Sequence, residues 1–549
     1  MRASGTFIAV AVFGIGLTGW ILIEAHGRGP ARAADREPLL DTAGDGLRPS
    51  GWLEASPEFL ERGRTIYGGQ CAPCHGSAGA GDGPAAYLLY PKPRDFIQAS
   101  YRFVSTWERV PTDEDLFRTV SRGIPGSAMP SWSHLREGDR WALVHYIKSL
   151  AAEPWTIAAP TDPAEEGSEG TGVIRVPPEP PDDEPSRQRG RDLFIRGCAP
   201  CHGLEAKGDG PQDQRDERGY PIRPRDLNTG VYKGSPEPED LYRRIVAGLP
   251  GTPMPGYAVF HGVPVWDLVH YARSLSSDDM RIRAEMTKLR IEVGRVDRVP
   301  DHPDDGAWRD APPVNLHLMP LWWRYERPEY LTVQALHDGE EIAVLLIWAD
   351  DTNDEIVLRP QDFRDAAAVQ LSPVPDPPFF AMGSEGTAVN IWMWKADRQR
   401  DLLAFTDLES QYPNIGIDSY PNLEASPLEQ PMRHALTLDS DPAFVTGWGA
   451  GNIVSDPTRK NAAEELTARG FGTLRARPFP DQTVTAKGGY STGSYRVVFR
   501  RPLESRGKGG VSLRPGETVP AAFAVWDGSA GDRDGKKSVS IWQELVLEP

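Results

Sequence analysis

Cys71-Ala72-Pro73-Cys74-His75 recurs unchanged as Cys198-Ala199-Pro200-Cys201-His202, and these two pentapeptides hold all four cysteines of the chain. Two thiols separated by two residues and followed directly by a histidine suit covalent attachment of a c-type haem. The thiols Cys71 and Cys74, or Cys198 and Cys201, add across the two vinyl groups of the macrocycle. The adjacent His75 or His202 then faces the iron as its proximal ligand. A zinc knuckle or a thioredoxin-like dithiol uses the same Cys-x-x-Cys spacing. Neither needs a histidine after each pair, and no further cysteine is left to complete a four-thiolate site. Covalent haem attachment places maturation outside the cytoplasm, and with every thiol so assigned there is no disulfide framework.

The segments around these turns repeat as well, over 51–150 and 186–275. Gly63-Arg64 matches Gly190-Arg191, Gly81-Asp82-Gly83-Pro84 matches Gly208-Asp209-Gly210-Pro211, and Pro93-Arg94-Asp95-Phe96 matches Pro224-Arg225-Asp226-Leu227. Further along, Gly123-Ile124-Pro125-Gly126-Ser127-Ala128-Met129-Pro130 matches Gly248-Leu249-Pro250-Gly251-Thr252-Pro253-Met254-Pro255, and Trp141-Ala142-Leu143-Val144-His145-Tyr146 matches Trp266-Asp267-Leu268-Val269-His270-Tyr271. Each unit reads as helix, haem turn, irregular loop, helix, methionine loop, helix. Leu143, Val144, Ile147 and Leu150 have the spacing of an amphipathic last helix. Thr112 or Asp113 caps the middle helix, with Glu114 and Asp115 in its first turn. A methionine is more often core filler than ligand, but Met129 and Met254 recur in the same Met-Pro loop at nearly the same distance beyond the proximal histidine.

This order resembles the class I cytochrome c fold over both units. The resemblance implies that Met129 and Met254 are the sixth iron ligands opposite His75 and His202. His145 and His270 also recur, but their place in the last amphipathic helix fits packing. His134 and His261 follow the methionine loops and read as surface residues. Pro84 and Pro211 are expected to place a backbone carbonyl against the proximal imidazole N–H. Arg94 and Arg225 read either as partners of haem propionates or as solvated side chains.

A length of 549 residues suggests three or four domains, and the net charge of −18 excludes nucleic acid as the main partner. At the start, Arg2 precedes an uncharged apolar run from Phe7 to Ile23, followed by Ala31-Arg32-Ala33-Ala34. Residues 1–33 therefore read as a signal peptide cleaved near Ala33, or as an N-terminal membrane anchor. Residues 151–185 form a linker ending in Pro177-Pro178-Glu179-Pro180-Pro181, a semi-extended composition that builds no core.

The last part, 289–549, has no cysteine and several strand-like runs. Leu289–Val293, Glu341–Trp348, Tyr495–Arg500, Ala522–Trp526 and Ser538–Leu547 point to a mainly β, sandwich-like domain. Gly447-Trp448-Gly449-Ala450-Gly451 lacks the following helix pattern of a dinucleotide loop. Phe379-Phe380-Ala381-Met382-Gly383, Val389-Asn390-Ile391-Trp392-Met393-Trp394, Gly447–Asn452, Phe523–Gly528 and Gly535-Lys536-Lys537-Ser538 together resemble the ethylbenzene dehydrogenase gamma-subunit family. That resemblance implies one non-covalent haem b held by a methionine and a lysine, at Met382 and Lys537 here, with Lys536 as the neighbouring alternative. A lysine amine donates to iron only when its ammonium pKa is suppressed. The resemblance also implies periplasmic partners: the catalytic and iron–sulfur subunits of a molybdenum enzyme of the dimethyl sulfoxide reductase type.

The expected protein is thus multidomain, with two all-α cytochrome c domains followed by a mainly β domain, two covalent haem c and one haem b. It is an exported electron-transfer subunit rather than an enzyme in its own right, passing electrons between a molybdenum oxidoreductase of nitrite, nitrate, chlorate, selenate, dimethyl sulfide or hydrocarbon type and a soluble or membrane redox carrier. Methionine ligation closes the iron and favours outer-sphere transfer. Two rivals stand beside this reading: a dihaem peroxidase-like enzyme, against which the paired methionine loops argue, and a dihaem cytochrome c joined to a ligand-binding β domain without haem b.

Overall fold

The computed structural model describes residues 47–161, 170–257, 262–377, 382–403, 412, 414 and 460–549. The run Phe7–Ile23, Ala33, His261, Phe379–Ala381 and Gly447–Asn452 lie outside the described residues.

The first unit contains helices α1 (Pro57–Gln70), α2 (Ala72–His75), α3 (Asp113–Arg122) and α4 (Glu137–Ser149). Ser56 caps α1, its side chain accepting from the Phe59 N–H. Thr112 forms a capping box with Asp115 at the start of α3, as the pattern predicts. Trp141, Leu143, Val144 and Ile147 bury one face of α4. Helices α1 and α4 cross so tightly at Gly63 that a Cβ there would collide with the Ala142 carbonyl.

The second unit repeats this plan with α5 (Glu184–Gly197), α6 (Ala199–His202), α7 (Pro238–Ala247) and α8 (Val263–Ser274). Gly190 meets the Asp267 carbonyl in the same way, so both recurring glycines mark one helix crossing. The recurring helix histidines are structural. His145 Nε2 lies 2.8 Å from the Leu53 carbonyl, and His270 bridges Ser186 Oγ at 2.7 Å and Glu179 at 3.2 Å.

The segment between the units differs from expectation, because part of it enters the core. Ile174 is fully buried, its N–H donates to the Ser105 carbonyl at 2.8 Å, and Trp266 Nε1 donates to the Pro177 carbonyl at 3.1 Å. The Val173-Ile174 pair supplies the apolar surface that the surrounding prolines and acids lack. Extended backbone, barred from helix by proline, can pair along its length instead.

A short helix α9 (Asp278–Arg283) leads to the β domain. Its described strands are β1 (Arg290–Arg295), β2 (Val314–His317), β3 (Met319–Pro320), β4 (Tyr330–His337), β5 (Glu341–Ala349), β6 (Ala366–Leu371), β7 (Val389–Lys395), β8 (Ala463–Ala468), β9 (Arg475–Ala476), β10 (Thr485–Ser491), β11 (Ser494–Pro502), β12 (Thr518–Trp526), β13 (Ser538–Val539) and β14 (Gln543–Leu547). The main path runs β10-β11-β5-β4-β1-β14-β12-β6-β7-β8-β9. Among the described strands only β1 pairs in parallel, with β4 and with β14. The expected closing strand over Ser538–Leu547 is two strands, because Ser540 Oγ accepts from the Phe523 N–H and donates to the Ile541 carbonyl.

The sheet folds over a core in which Trp392 faces Phe499 at 6.5 Å and Trp348 faces Trp394 at 6.4 Å. On β6 and β12 the residues alternate strictly. Ala367, Val369, Phe523 and Val525 enter this core, whereas Ala366, Ala368, Ala522 and Ala524 point to the other face. That second face is also apolar, as a strand buried on both sides requires.

Candidate haem sites

In the first unit the backbone turns immediately after α1. The N–H groups of Cys74 and His75 both donate to the Cys71 carbonyl, at 3.1 and 2.9 Å. This single turn brings Cys71, Cys74 and His75 to one cavity, which Met129 also lines. Burial pushes the Cys71 and Cys74 thiols up to about 12 and His75 down to about 4. The imidazole is thus neutral, the state a metal ligand needs. His75 Nδ1 lies 3.0 Å from the Arg94 carbonyl, and the ring stacks on Phe96 at 4.5 Å. The Nδ1–H tautomer that fits this contact leaves Nε2 free for iron.

The proximal acceptor is therefore the carbonyl of Arg94, not one presented by Pro84. The Gly-Asp-Gly-Pro loop has a different task. A Cβ on Gly83 would lie 2.5 Å from the Ala72 and Pro73 carbonyl oxygens, so only glycine lets this loop seat directly on the haem turn.

In the second unit Cys198, Cys201, His202 and Met254 share a cavity in the same way. Burial raises the Cys198 thiol to about 11 and lowers His202 to about 4. Gly210 seats against the Cys201 carbonyl as Gly83 does against the first turn. His202 Nδ1, however, is buried with no hydrogen-bond partner among the described residues, so neither Pro211 nor Arg225 supplies one.

The two methionine loops are built alike. Ile124 N–H donates to the Met129 carbonyl at 2.9 Å and Leu249 N–H to the Met254 carbonyl at 3.2 Å. Ser127 Oγ and Thr252 Oγ1 accept from the Met129 and Met254 N–H groups at 3.3 and 3.2 Å. A hydroxyl at the equivalent position thus closes each loop.

In the β domain, Met382 and Lys537 border one apolar cluster. Met382 packs against an apolar cluster that includes Ala366, Ala368, Val389, Ala468 and Ala522, and its φ of +71° is a left-handed conformation uncommon for methionine. Lys537 Nζ lies 4.7 Å from the centre of the Trp526 ring, a member of the same cluster. Burial lowers its ammonium pKa to about 8. Its neighbour Lys536 donates to the Ala530 carbonyl instead. An amine of lowered basicity and a thioether beside a wall of alanines suit a flat, hydrophobic macrocycle.

The β domain also reaches the first cytochrome site. Tyr90 N–H donates to the Leu321 carbonyl at 2.9 Å, Trp323 N–H donates to the Tyr90 carbonyl at 2.7 Å, and Leu321 N–H donates to the Lys537 carbonyl at 2.9 Å. Tyr90 and Trp323 both line the first haem cavity. Nothing in the strand pattern announces this bridge, because it joins loops more than 200 residues apart in sequence.

Comparison with known families agrees with this geometry. Residues 305–538 match the ethylbenzene dehydrogenase model, 58–147 the model of cytochrome c oxidase, cbb3-type, subunit III, and 188–276 the cytochrome c model. The dimethylsulfide dehydrogenase gamma subunit of Rhodovulum sulfidophilum is 30% identical over 285 residues, which cover 49% of this chain and 84% of that protein. The chain belongs to the ethylbenzene dehydrogenase family. A Haloferax mediterranei protein named as a respiratory nitrate reductase heme subunit is 28% identical over 48% of this chain and 74% of its own length. The chlorate reductase gamma subunit of Ideonella dechloratans is 24% identical over 44% of this chain and 78% of its own length. The two cytochrome c domains imply covalently held haem c, and membership of the ethylbenzene dehydrogenase family implies haem b. Among the described residues no helix is long and apolar enough to cross a membrane.

Proposed function

We propose that this chain is the haem-bearing, electron-transferring subunit of an exported molybdenum oxidoreductase complex, with no catalysis of its own. The observation that carries the reading is the meeting, twice, of Cys-x-x-Cys-His and a loop methionine in one cavity, ahead of a domain related to dimethylsulfide dehydrogenase and chlorate reductase gamma subunits. Haem, when bound, would supply reversible one-electron chemistry.

The chain's own residues do the rest. Cys71, Cys74, Cys198 and Cys201 would fasten two macrocycles, and His75 with Met129 and His202 with Met254 would hold their irons. The Arg94 carbonyl holds the His75 ring, and Phe96 and Trp132 are buried around the first cavity and shield it from water. Met382 and Lys537 offer ligands for a third, non-covalent group. The hydrogen bonds from Tyr90 through Leu321 to Lys537 hold the first cytochrome site and the lysine loop in a fixed relation. The partners this reading requires are a catalytic and an iron–sulfur subunit and a separate redox carrier.

A pyridine haemochrome spectrum of the purified protein tests it. Two c-type haems with one acid-extractable b-type haem are expected. Haem c alone removes the b-site from the proposal, and peroxide turnover by the unmodified protein favours a peroxidase instead.

A further inference from the structure

The two cytochrome cavities have a common wall. Ile222, Arg223, Arg225, Lys233, Leu249 and Thr252 line both the cavity of Cys71, His75 and Met129 and that of Cys198, His202 and Met254. All six belong to the second cytochrome domain, so the first domain does not enclose its own site.

Three of the six are cationic, and no carboxylate lies within ion-pair distance of them among the described residues. Arg225 is buried and donates to the Pro125 and Gly126 carbonyls of the first domain's methionine loop, at 3.4 and 2.6 Å. Its Nε is buried without a partner. Lys233 Nζ donates to the Arg223 carbonyl at 2.6 Å, a neutral acceptor. The Arg223 guanidinium stacks on the Tyr325 ring at 4.6 Å. Neighbouring cations of the first domain are matched differently: Arg94 pairs with Glu217 and Arg102 with Asp216, each at 3.0 Å. Burying charge without a counter-charge is costly. Burial and Arg327 lower the basicity of Arg225, with Glu329 opposing, and burial with Arg225 and Arg102 lowers that of Lys233, so an anion joining the two stabilises the cluster.

Each haem carries two propionate carboxylates, and each cavity opens on this wall. We propose that Arg223, Arg225 and Lys233 form one cationic seam that receives propionates from both c-type sites, so that the second cytochrome domain completes the site of the first and one set of charges tunes both irons. Ferric iron carries one more positive charge than ferrous, so a nearby cation favours the reduced form and raises the potential. Removing a shared cation lowers both potentials together. This inference rests on the assignment of haem c to both turns.

The test is a spectroelectrochemical titration of the full-length holoprotein, after pyridine haemochrome has counted two c-type haems. A count below two overturns the haem assignment itself. With two haems present, Lys233→Gln and Arg223→Gln are each expected to lower both c-type midpoints, by about a tenfold change in the reduced-to-oxidised ratio, or about 59 mV. Lys233→Arg, which keeps the charge, restores both midpoints. Lys92 lines only the first cavity, so Lys92→Gln moves one midpoint at most. Arg223 is exposed, and its variant decides the matter if Lys233→Gln fails to fold. Arg223→Gln and Lys233→Gln variants with both haems bound and fewer than two midpoints lowered overturn the seam. So does a Lys233→Arg protein that behaves like Lys233→Gln.

Discussion

His75 stacks on Phe96 at 4.5 Å and its Nδ1 sits 3.0 Å from the Arg94 carbonyl. His202 has an edge contact with Phe194 at 5.8 Å and no partner at Nδ1 among the described residues. The Cys-x-x-Cys-His turns and the loop methionines are the same in both domains; what surrounds them is not. The position of Phe96 is taken by Leu227 in the second unit, and a branched aliphatic chain cannot stack on the imidazole. A hydrogen bond to the distal nitrogen of a ligating histidine raises its basicity and fixes its plane. The first site holds its ligand from two sides, and the second holds it by packing alone. Duplication therefore repeats the turns and the methionine loops, and the residues around them make the two cavities unequal.

The largest expected effect comes from removing attachment. Cys71→Ala with Cys74→Ala, or Cys198→Ala with Cys201→Ala, should each reduce covalent haem from two to one, read by intact mass. The surviving haem's midpoint then reports which site is which. Next in size is ligand loss. Met129→Ala and Met254→Ala should each convert one site to high spin and lower its potential, measured by absorption spectra and redox titration. The second site, with its less restrained histidine, should lose the greater share of its haem signal on mild acidification.

A smaller, equal effect is expected at the loop glycines. Gly83→Ala and Gly210→Ala each force a methyl group against haem-turn carbonyls and should cost about 1–3 kcal/mol in thermal or denaturant unfolding. A marked inequality between the two would break the symmetry inferred for the turns. Smallest is Phe96→Leu, which gives the first domain the second domain's residue. It should cost roughly 1 kcal/mol and move the first site's potential toward that of the second. An unchanged potential would show that the Arg94 carbonyl, not the ring, makes the difference.

Much of this was legible along the chain. The Cys-x-x-Cys-His turns, the methionine loops, the capping box at Thr112 and the buried strand at Glu341–Trp348 follow from short-range patterns, and all are formed. The β character of the last domain followed from alternating and continuous apolar runs. Less legible were features made by contact between distant loops. Pro84 was a natural candidate for presenting the proximal acceptor because its motif recurs, but the acceptor is Arg94, brought in by the loop between Gly79 and Phe96, where the Phe96 N–H donates to the Gly79 carbonyl at 2.7 Å. The proline-rich linker hid Ile174, whose burial depends on an edge offered by Ser105 and Thr106. Arg225 reads equally well as a surface residue in the sequence, because its burial beside the first methionine loop comes from contact between the two cytochrome domains.

The sequence by itself determined the two Cys-x-x-Cys-His turns and the helix caps, because these depend on groups a few residues apart whose spacing the backbone sets directly. Only the tertiary structure decided how those sites are finished: the Arg94 carbonyl behind His75, the Tyr90–Leu321–Lys537 bridge, and the shared wall of Arg223, Arg225 and Lys233. Each of these joins groups whose meeting depends on how loops and domains pack, and that packing is set by the burial of apolar surface contributed from the whole chain.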